Sequence, residues 1–381
     1  MYQLYYTERD ATIYERTPEQ NTGIDQILEL TKIASGSKLS GIIQSNTYNS
    51  RILLDIGNNN ITALSQSIVN GDIPPIGNAV GSSSVYLTMT AADASDLTLS
   101  YSLKAFPVSE SWDNGNGYKH DTPETKIGAS WYYRDAIDPG TRWNTGSAAS
   151  SGDASATEAQ GGGTWLTGSG YEASQSFSNQ LPHVRMNITD IVSKWIDGSV
   201  TNNGLIIKRS TTDELSGDIL GSIKFYGRDT NTIFIPRMEV AWDDSVQSGT
   251  GSYSEISSET YVAYFKNIRP SYYEADKAIF RIGVRPEYPS KTYQTSSFYL
   301  TADRLPTSSY YSIKDAVTEE TIIPFDTSAT QISCDSKGSF FKLRLNTFMP
   351  ERYYKILLKV EREGGDDVQI HDNAYYFKVE R

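Results

Sequence analysis

The residue types that most often bind transition metals or act as nucleophiles are scarce and scattered in this chain. Its single cysteine is Cys334, and its three histidines are His120, His183 and His371. Zinc sites built from Cys and His need ligands at short spacing, which this scatter does not provide. We therefore predict no metal site of that type. Cys334 lies between apolar runs, and we interpret it as an inert strand or loop residue.

Carboxylates are plentiful, but their pattern does not indicate acid–base catalysis. The adjacent pairs Asp243–Asp244, Glu319–Glu320 and Asp366–Asp367 would point to opposite faces of a strand and could not share a proton. The motifs GxSxG, HExxH and GxxxxGK[ST] are absent from the sequence. We predict no enzymatic activity and no cofactor. A calcium ion held by oxygens around Asp113, Asn114 and Asn116 is left open as an alternative to solvated turns.

Tryptophan offers a different chemistry, because a flat indole face can stack on a pyranose ring. Trp112 and Trp165 lie in polar, Gly-rich contexts, SESWDNGNGY and GGGTWLTGSG. These two residues are the candidates for stacking on a glycan, and packing in a core is the other interpretation. Residues 144–170, which contain Trp165, form a polar stretch of low complexity that we interpret as a long surface loop.

Charge and hydropathy exclude two classes of partner. The 381 residues carry 34 basic and 46 acidic side chains, a formal net charge of −12. Nucleic-acid binding needs clustered cations, so we predict no nucleic-acid partner. No apolar run reaches the roughly 18 residues that span a bilayer, so we predict no membrane insertion. The first residues lack the pattern of a secretory signal, and the lone cysteine fits synthesis in a reducing cytoplasm.

The elements that would position these residues are mostly strands. Segments such as 83–91 and 204–210 alternate β-branched or aromatic residues with polar ones and are bounded by Gly, Asn, Asp and Ser. One segment, Asn187–Asp197, instead has the apolar spacing of an amphipathic helix, with Asn187 placed to cap it and Gly198 to end it. We predict this as the principal helix of a mainly β protein.

Composition divides the chain in two. All six tryptophans precede residue 243, and residues 1–252 hold 17 basic and 28 acidic residues, whereas residues 253–381 hold 17 and 18. Between these parts, residues 244–258 are rich in Ser and Gly. We predict a jelly-roll-like β-sandwich over 1–243, a flexible linker over 244–258 and an immunoglobulin-like β-sandwich over 259–381.

The first part resembles DNRLRE-type β-sandwich domains, which are carbohydrate-binding-like modules. The resemblance rests on the segments DATIYERTPEQNTG, SRILLDI, FPVSESWDNG, NITDIVSKWIDGSVTNNGLIIK and PRMEVAW, in that order over residues 10–243. It implies a β-sandwich and a glycan-binding adhesion module of a phage fibre or head decoration protein as one function. Host surface glycans would then be the partner.

Nearly the whole chain also resembles virion structural proteins of contractile-tailed phages (myoviruses) that infect marine cyanobacteria. The segments that carry this resemblance are RTPEQNTGIDQILELTKI, QSNTYNSRILLDIG, GGGTWLTGSGYEASQSF, RPEYPSKTYQTSSFYLTADRLPTSSYYSIKD and MPERYYKILLKVEREGGDD. It implies a non-enzymatic subunit of the tail, baseplate or neck, located in the virion and assembled through contacts with other virion proteins and with further copies of itself.

The interface of such a subunit is predicted in the second half of the chain. The stretch 269–304 combines Arg, Tyr and Pro, and tyrosine is enriched at protein interfaces. An ordinary Tyr-rich pair of strands is the alternative. The candidate interface residues are Arg269, Tyr272, Tyr273, Arg285, Tyr288 and Tyr293.

Overall fold

The protein is mainly β. The computed structural model describes residues 1–39, 42–136, 140–143, 161–248, 253–288 and 303–381. Strands make up 45% and helices 9%, which confirms the predicted mainly β class and agrees with a β-sandwich type. Within these described ranges, no helix is both long enough and apolar enough to cross a membrane.

The described residues between Tyr2 and Ala241 form fourteen strands. They are β1 (Tyr2–Tyr6), β2 (Arg9–Tyr14), β3 (Ile27–Leu39), β4 (Ile42–Asp55), β5 (Ser84–Met89), β6 (Ala91–Ser95), β7 (Ser100–Pro107), β8 (Tyr133–Asp135), β9 (Thr141–Arg142), β10 (Ala173–Ser178), β11 (Val184–Asn187), β12 (Leu205–Arg209), β13 (Gly221–Tyr226) and β14 (Arg237–Ala241). One sheet has the order β10-β7-β12-β4-β3-β13-β6, with β2 also paired to β4. A second has the order β1-β14-β5-β11, and β8 pairs with β9. Residues in β5 and β13 alternate between buried and partly exposed, as expected for sheets packed on one face.

The described residues of the same part of the chain form three α-helices, α1 (Asn58–Val69), α2 (Thr189–Ile196) and α3 (Thr211–Leu215). The structure has a helix at the predicted segment, where the Asn187 side chain accepts a hydrogen bond from the Thr189 amide and Gly198 has a φ of 78°. It is not the principal helix, however, because α1 is longer. Only Ile61 and Leu64 of α1 are buried, so its apolar stripe is too weak to stand out in the sequence.

The described residues between Tyr261 and Glu380 form nine further strands. They are β15 (Tyr261–Phe265), β16 (Ser271–Tyr273), β17 (Lys277–Pro286), β18 (Ser309–Asp315), β19 (Thr321–Ile323), β20 (Ser333–Asp335), β21 (Gly338–Arg344), β22 (Arg352–Arg362) and β23 (Asp367–Glu380), with short 3-10 helices at Leu345–Thr347 and Glu363–Gly365. They form two sheets, β15-β17-β21-β20 and β16-β23-β22-β18-β19. Aromatic rings fill the core, where Phe341 stacks on Tyr311 at 4.2 Å and on Phe280 at 5.2 Å between centroids.

The chain divides into two compact units that differ slightly from the predicted domains. One unit is Tyr5–Glu239, and the other joins Met1–Leu4 to Val240–Arg381. The first residues belong to the second unit because Tyr2 is buried there, with its hydroxyl donating to Asp326 at 3.1 Å. Strand β1 adds to the sheet beside β14, which a boundary based on composition cannot detect.

The described part of the predicted linker 244–258 pairs with other segments of the second unit through backbone hydrogen bonds. The Val246 carbonyl accepts from the Cys334 amide at 2.8 Å, and the Ser248 amide donates to the Cys334 carbonyl. Ile256 is buried, and its amide donates to the Arg304 carbonyl at 3.1 Å. These residues are therefore part of the second unit, since backbone pairing does not require apolar side chains. Residues 249–252 lie outside the described residues.

One buried asparagine fixes the loops at one end of the first unit. The Asn21 amide nitrogen donates to the carbonyls of Asn114 and Ala129, and its oxygen accepts from the amides of Gly23 and Gly117. A Cβ on Gly23 would lie 1.8 Å from the Asn114 carbonyl, so only glycine fits there. The Asn-x-Gly element that contributes to the sequence resemblance is thus a junction between three loops.

We expect Asn21→Ala to lower the free energy of unfolding by about 3 kcal/mol or more, because four backbone groups would lose their partner and each unpaired buried group costs about 1–3 kcal/mol. Urea denaturation of the full chain measures this loss. Asn116→Ala, at an exposed position of the same loop, is the matched control. A loss below 1 kcal/mol for Asn21→Ala would contradict the role of this junction.

Candidate functional site

The two tryptophans predicted to stack on a glycan are both in the core. Trp112 is 3% exposed and Trp165 is 0% exposed. The Trp112 indole donates to the Asn203 carbonyl at 2.9 Å, while the Arg9 guanidinium lies over its ring. Neither indole presents a face to an external sugar, so the prediction is corrected in favour of core packing. Both indoles pack in one cluster with apolar side chains of the strands, among them Phe106 and Ile206.

Three consecutive glycines explain how Trp165 reaches the core. Gly161, Gly162 and Gly163 all have positive φ, between 86° and 107°. A Cβ on Gly162 would lie 2.5 Å from an Arg51 nitrogen, and one on Gly161 would lie 2.1 Å from the Trp131 carbonyl. The glycines therefore let the backbone pass close to these groups and bring Trp165 into a bridge with Val108.

Behind Trp165 lies a buried ionic cluster that joins α3 to the sheet. Arg51 on β4 forms a bidentate pair with Glu214 on α3, at 3.0 and 2.8 Å, and also donates to the Gly162 carbonyl at 2.5 Å. Lys208 on β12 reaches the same carboxylate at 2.9 Å. All three side chains are at most 2% exposed. The Arg51 guanidinium lies 4.9 Å from the centre of the Trp131 ring and 5.0 Å from that of Trp165.

A further buried lysine holds the end of α3. The Lys32 ammonium donates to the carbonyls of Asp213, Glu214 and Ser216, which are groups that a helix leaves unpaired at its C-terminal end. Burial lowers the pKa of Lys32 and of the neighbouring Arg209. Because the Arg51, Lys208 and Lys32 cations are enclosed and paired, we interpret the cluster as a lock that positions α3 and the glycine segment.

Replacing Glu214 by Gln should destabilise the protein by about 3–5 kcal/mol, because Arg51 and Lys208 would remain buried without a compensating charge. Thermal and urea unfolding would show the loss. The control is Glu172→Gln, which removes the more exposed pair with Lys104 and should cost less than about 1 kcal/mol. Equal losses in the two variants would show that burial does not set the strength of the Glu214 pairs.

Two of the three residues considered for calcium have structural contacts instead, and Cys334 is enclosed in the core. Asp113 accepts from the Gly115 amide, and the Asn114 side chain joins Asp10 to Gly23. Across the described ranges, no group of three or more His, Cys, Asp and Glu side chains is placed to hold a metal ion. Cys334 is buried, which raises the pKa of its thiol and disfavours the reactive thiolate.

Asp10, on β2, is a buried carboxylate that titrates near neutrality. Burial raises the pKa of Asp10 to about 7, with a further contribution from Asp229 and Asp25, while the Arg228 amide and side chain oppose the rise. The Arg228 amide donates to the Asp10 carboxylate at 2.5 Å. The folded state therefore favours the protonated form, and we expect stability to decrease as the pH rises from about 4 to about 7.

Asp10→Asn should remove this decrease in stability with rising pH, because asparagine is neutral and still accepts the hydrogen bond from the Arg228 amide. We expect the variant to be more stable than the parent at pH 8 by roughly 2–4 kcal/mol, from about 1.4 kcal/mol for each pKa unit, and similar to it below pH 4. Urea denaturation at a series of pH values measures the difference. Glu124→Gln, at an exposed position, should leave the profile unchanged. A parent whose stability stays constant between pH 4 and pH 7 would refute the assignment.

The predicted interface residues fall into three groups. Arg269, Tyr273 and Tyr288 are exposed, with Tyr273 at 60% and Tyr288 at 81%, and Arg285 is partly exposed. Tyr272 is instead buried against Phe280 and Phe377, so it is corrected to a core residue. Its neighbour Tyr273 points to the other face of β16, as the alternation of a strand requires. Tyr293 lies outside the described residues.

The sequence analysis missed a larger surface feature, which we call the cationic face. It is the outer face of three neighbouring strands, β15, β17 and β21, formed by Val262, Tyr264, Lys277, Ile279, Arg281, Gly283, Arg285, Phe340, Lys342 and Arg344. Five of these residues are basic and none is acidic. The neighbouring Asp335 forms a bidentate pair with Arg281, at 2.7 and 2.8 Å.

Apolar side chains are exposed between these cations. Tyr264 is 37% exposed and Ile279 is 44% exposed. The Tyr264 ring covers Gly283, where a Cβ would lie 2.4 Å from it. Strand alternation could have indicated this face, because lysine or arginine occupies most odd positions from Lys277 to Arg285. Which strands lie side by side could not be read from the sequence.

Comparisons with known proteins identify no relative. No family model, no curated protein and no solved structure matches the chain. The resemblances to DNRLRE-type domains and to phage virion proteins therefore stay predictions from the sequence.

Proposed function

We propose that this chain is a non-enzymatic structural subunit of a phage particle, associated with the tail, baseplate or neck and present in several copies. The resemblance to virion structural proteins along nearly the whole sequence supports the proposal. The structural observation that supports it most is the cationic face, where exposed apolar side chains lie beside the exposed Lys277 and Lys342 and the partly exposed Arg281 and Arg285.

The chemistry of the cationic face fits an acidic protein surface. Exposed aromatic and arginine side chains are enriched where proteins bind each other, and complementary charge directs the encounter. In the described part of the chain, Lys342 and Arg285 form no ion pair, and Arg285 donates only to backbone carbonyls of Pro286 and Glu287. Both cations are thus available to carboxylates of a neighbouring virion protein. A second copy of this chain offers such carboxylates, since its first 252 residues carry a net charge of −11.

The test is incorporation into particles. Mass spectrometry of purified particles should detect the chain as a stoichiometric component, and the double variant Lys342→Glu/Arg285→Glu should be incorporated at least tenfold less, because it reverses two charges of the cationic face. The matched control is Lys104→Glu/Lys126→Glu, which reverses two basic residues of the other unit.

Two results would count against the proposal. Purified particles in which mass spectrometry does not detect the chain would refute the structural role itself. Incorporation of Lys342→Glu/Arg285→Glu at the parental level would show that the cationic face is not the contact. Circular dichroism of the purified variants separates the expected loss of incorporation from misfolding.

A further inference from the structure

A pocket opens beside α3 on the first unit, and its volume is about 370 Å³. Ligand pockets for small molecules begin at roughly this size, so it suits a single side chain better than a large ligand. The buried ionic cluster lies at this pocket, since Arg51 and Glu214 both line it. The other lining side chains include a carboxylate, an amide and aromatic rings, which belong to Glu15, Asn49, Tyr48, Trp131 and Tyr132.

One carboxylate on the pocket has no cation as its partner. Two carboxylates, Glu15 and Glu214, and one guanidinium, Arg51, line the pocket. Arg51 already donates to both Glu214 oxygens and to the Gly162 carbonyl. Among the described residues, no lysine or arginine nitrogen lies within 4.0 Å of the Glu15 carboxylate. The pocket therefore has one negative charge to offer to a ligand.

Asn49 orients Glu15 and leaves a second acceptor without a partner. The Asn49 backbone amide and side-chain Nδ2 donate to Glu15 Oε2 at 2.7 and 3.1 Å. These bonds fix the side-chain amide, because the opposite orientation would bring two oxygen acceptors together. The Asn49 Oδ1 is buried and accepts no hydrogen bond from the described residues. Since most buried polar atoms are satisfied, the two neighbouring acceptors suit a ligand that brings N–H donors.

The aromatic rings on the pocket suit a cation. Tyr48, Trp131 and Tyr132 line it. Two of these rings already contact guanidinium groups, since Arg51 lies 4.9 Å from the centre of Trp131 and Arg142 lies 5.2 Å from that of Tyr132. Arg142 itself does not line the pocket. A cation is attracted to an aromatic face, and the alkyl stem of lysine or arginine packs on apolar surface. Together with Glu15, the rings fit a basic side chain.

The segment of the chain next to the pocket does not supply that side chain. Residues 144–160, which directly precede the lining residue Gly161, lie outside the described residues. Their sequence contains no lysine or arginine. We therefore expect the basic side chain to come from another molecule.

The surface next to the pocket is both acidic and apolar. Leu215, which lines the pocket, is 53% exposed, and Ile219, in the turn that follows α3, is 55% exposed. Asp218 is exposed and Asp213 is partly exposed in the same segment. Lys32, which bonds the backbone carbonyls of this segment, is buried. A partner thus meets apolar and negative side chains around the pocket.

The cationic face of a second copy complements this surface. There the exposed Lys342 and the partly exposed Arg285 lie on the same outer face as Tyr264 and Ile279. These two apolar residues are 37% and 44% exposed. Basic side chains would meet acidic ones and apolar side chains would meet apolar ones. Such complementarity sets the partner and the orientation of a protein contact.

We propose that the pocket beside α3 binds a lysine or arginine side chain from the cationic face of a second copy of this chain. The inference rests on the proposed function in one respect, because it names the site that the cationic face contacts. The contact is non-covalent and joins two different surfaces. Each copy keeps one free pocket or one free cationic face for the next copy, so copies assemble into a ring or an open row.

Sedimentation velocity of the purified full chain tests this contact. We expect self-association that increases with protein concentration and weakens at high salt, because opposite charges meet. Glu15→Gln removes the charge but keeps an oxygen for the Asn49 hydrogen bonds, and it should raise the Kd of association roughly tenfold. Glu124→Gln, at an exposed position, is the matched control. A chain that stays monomeric at every concentration, or a Glu15→Gln variant with the parental Kd, overturns the proposal.

Two further variants test whether the contact joins the pocket to the cationic face. Lys342→Glu/Arg285→Glu reverses the face and keeps the pocket, whereas Leu215→Arg places a positive charge at the pocket and keeps the face. Each variant alone should be monomeric. Their equimolar mixture should form dimers and nothing larger, because the intact pocket of the first binds the intact face of the second. Leu181→Arg changes another exposed leucine of the first unit and should associate like the parent.

The mixture also controls for folding, since each variant must supply one working surface. A mixture that stays monomeric, or a Leu181→Arg variant that loses association to the same extent as Leu215→Arg, overturns the proposal. A monomeric chain that is still incorporated into particles overturns this inference and leaves the structural role intact. Self-association through the pocket by a chain that is absent from purified particles overturns the structural role alone.

Discussion

The first unit depends on a carboxylate that is buried with two cations. Removing Glu214, Arg51 and Lys208 from water is costly, and their mutual attraction offsets that cost only if the geometry is maintained. This requirement fixes α3, which carries Glu214, and the glycine segment, whose Gly162 carbonyl takes another of the Arg51 hydrogen bonds. It also determines where Trp131 and Trp165 lie, because both rings pack against the Arg51 guanidinium.

The two units stabilise their cores in different ways. In the first, long loops between the strands are held by buried polar groups such as Asn21 and Lys32, each with several hydrogen bonds. In the second, stacked aromatic rings around Phe341 occupy the space between the sheets. A buried polar side chain needs specific hydrogen-bond partners, and it therefore constrains the sequence at single positions. An aromatic core mainly constrains volume, and the outer strand faces stay free to carry charge.

The distribution of charge shows that the outer strand faces are free to carry charged side chains. The chain as a whole is acidic, yet the cationic face collects basic side chains on the outer surface of a sheet. Strand alternation makes this arrangement accessible, since every second residue of a strand points away from the core. A surface of one sign on a protein of the opposite net charge favours selective contact with anionic groups.

The sequence by itself determined the mainly β class, the helix near residues 187–197 and the core or surface position of many strand residues, because these follow from local periodicity. It also indicated that Cys334 would be inert.

Tertiary structure alone decided the rest. Trp112 and Trp165 have the polar neighbours of surface residues, but loops that fold over the sheet bury them. The residues 244–248 look like a flexible linker, but their backbone pairs with Cys334. The large sheet places Thr31 opposite Ser222, about 190 positions later in the chain. Pairing between distant strands brings such residues together, and no pattern within a short window of sequence encodes it.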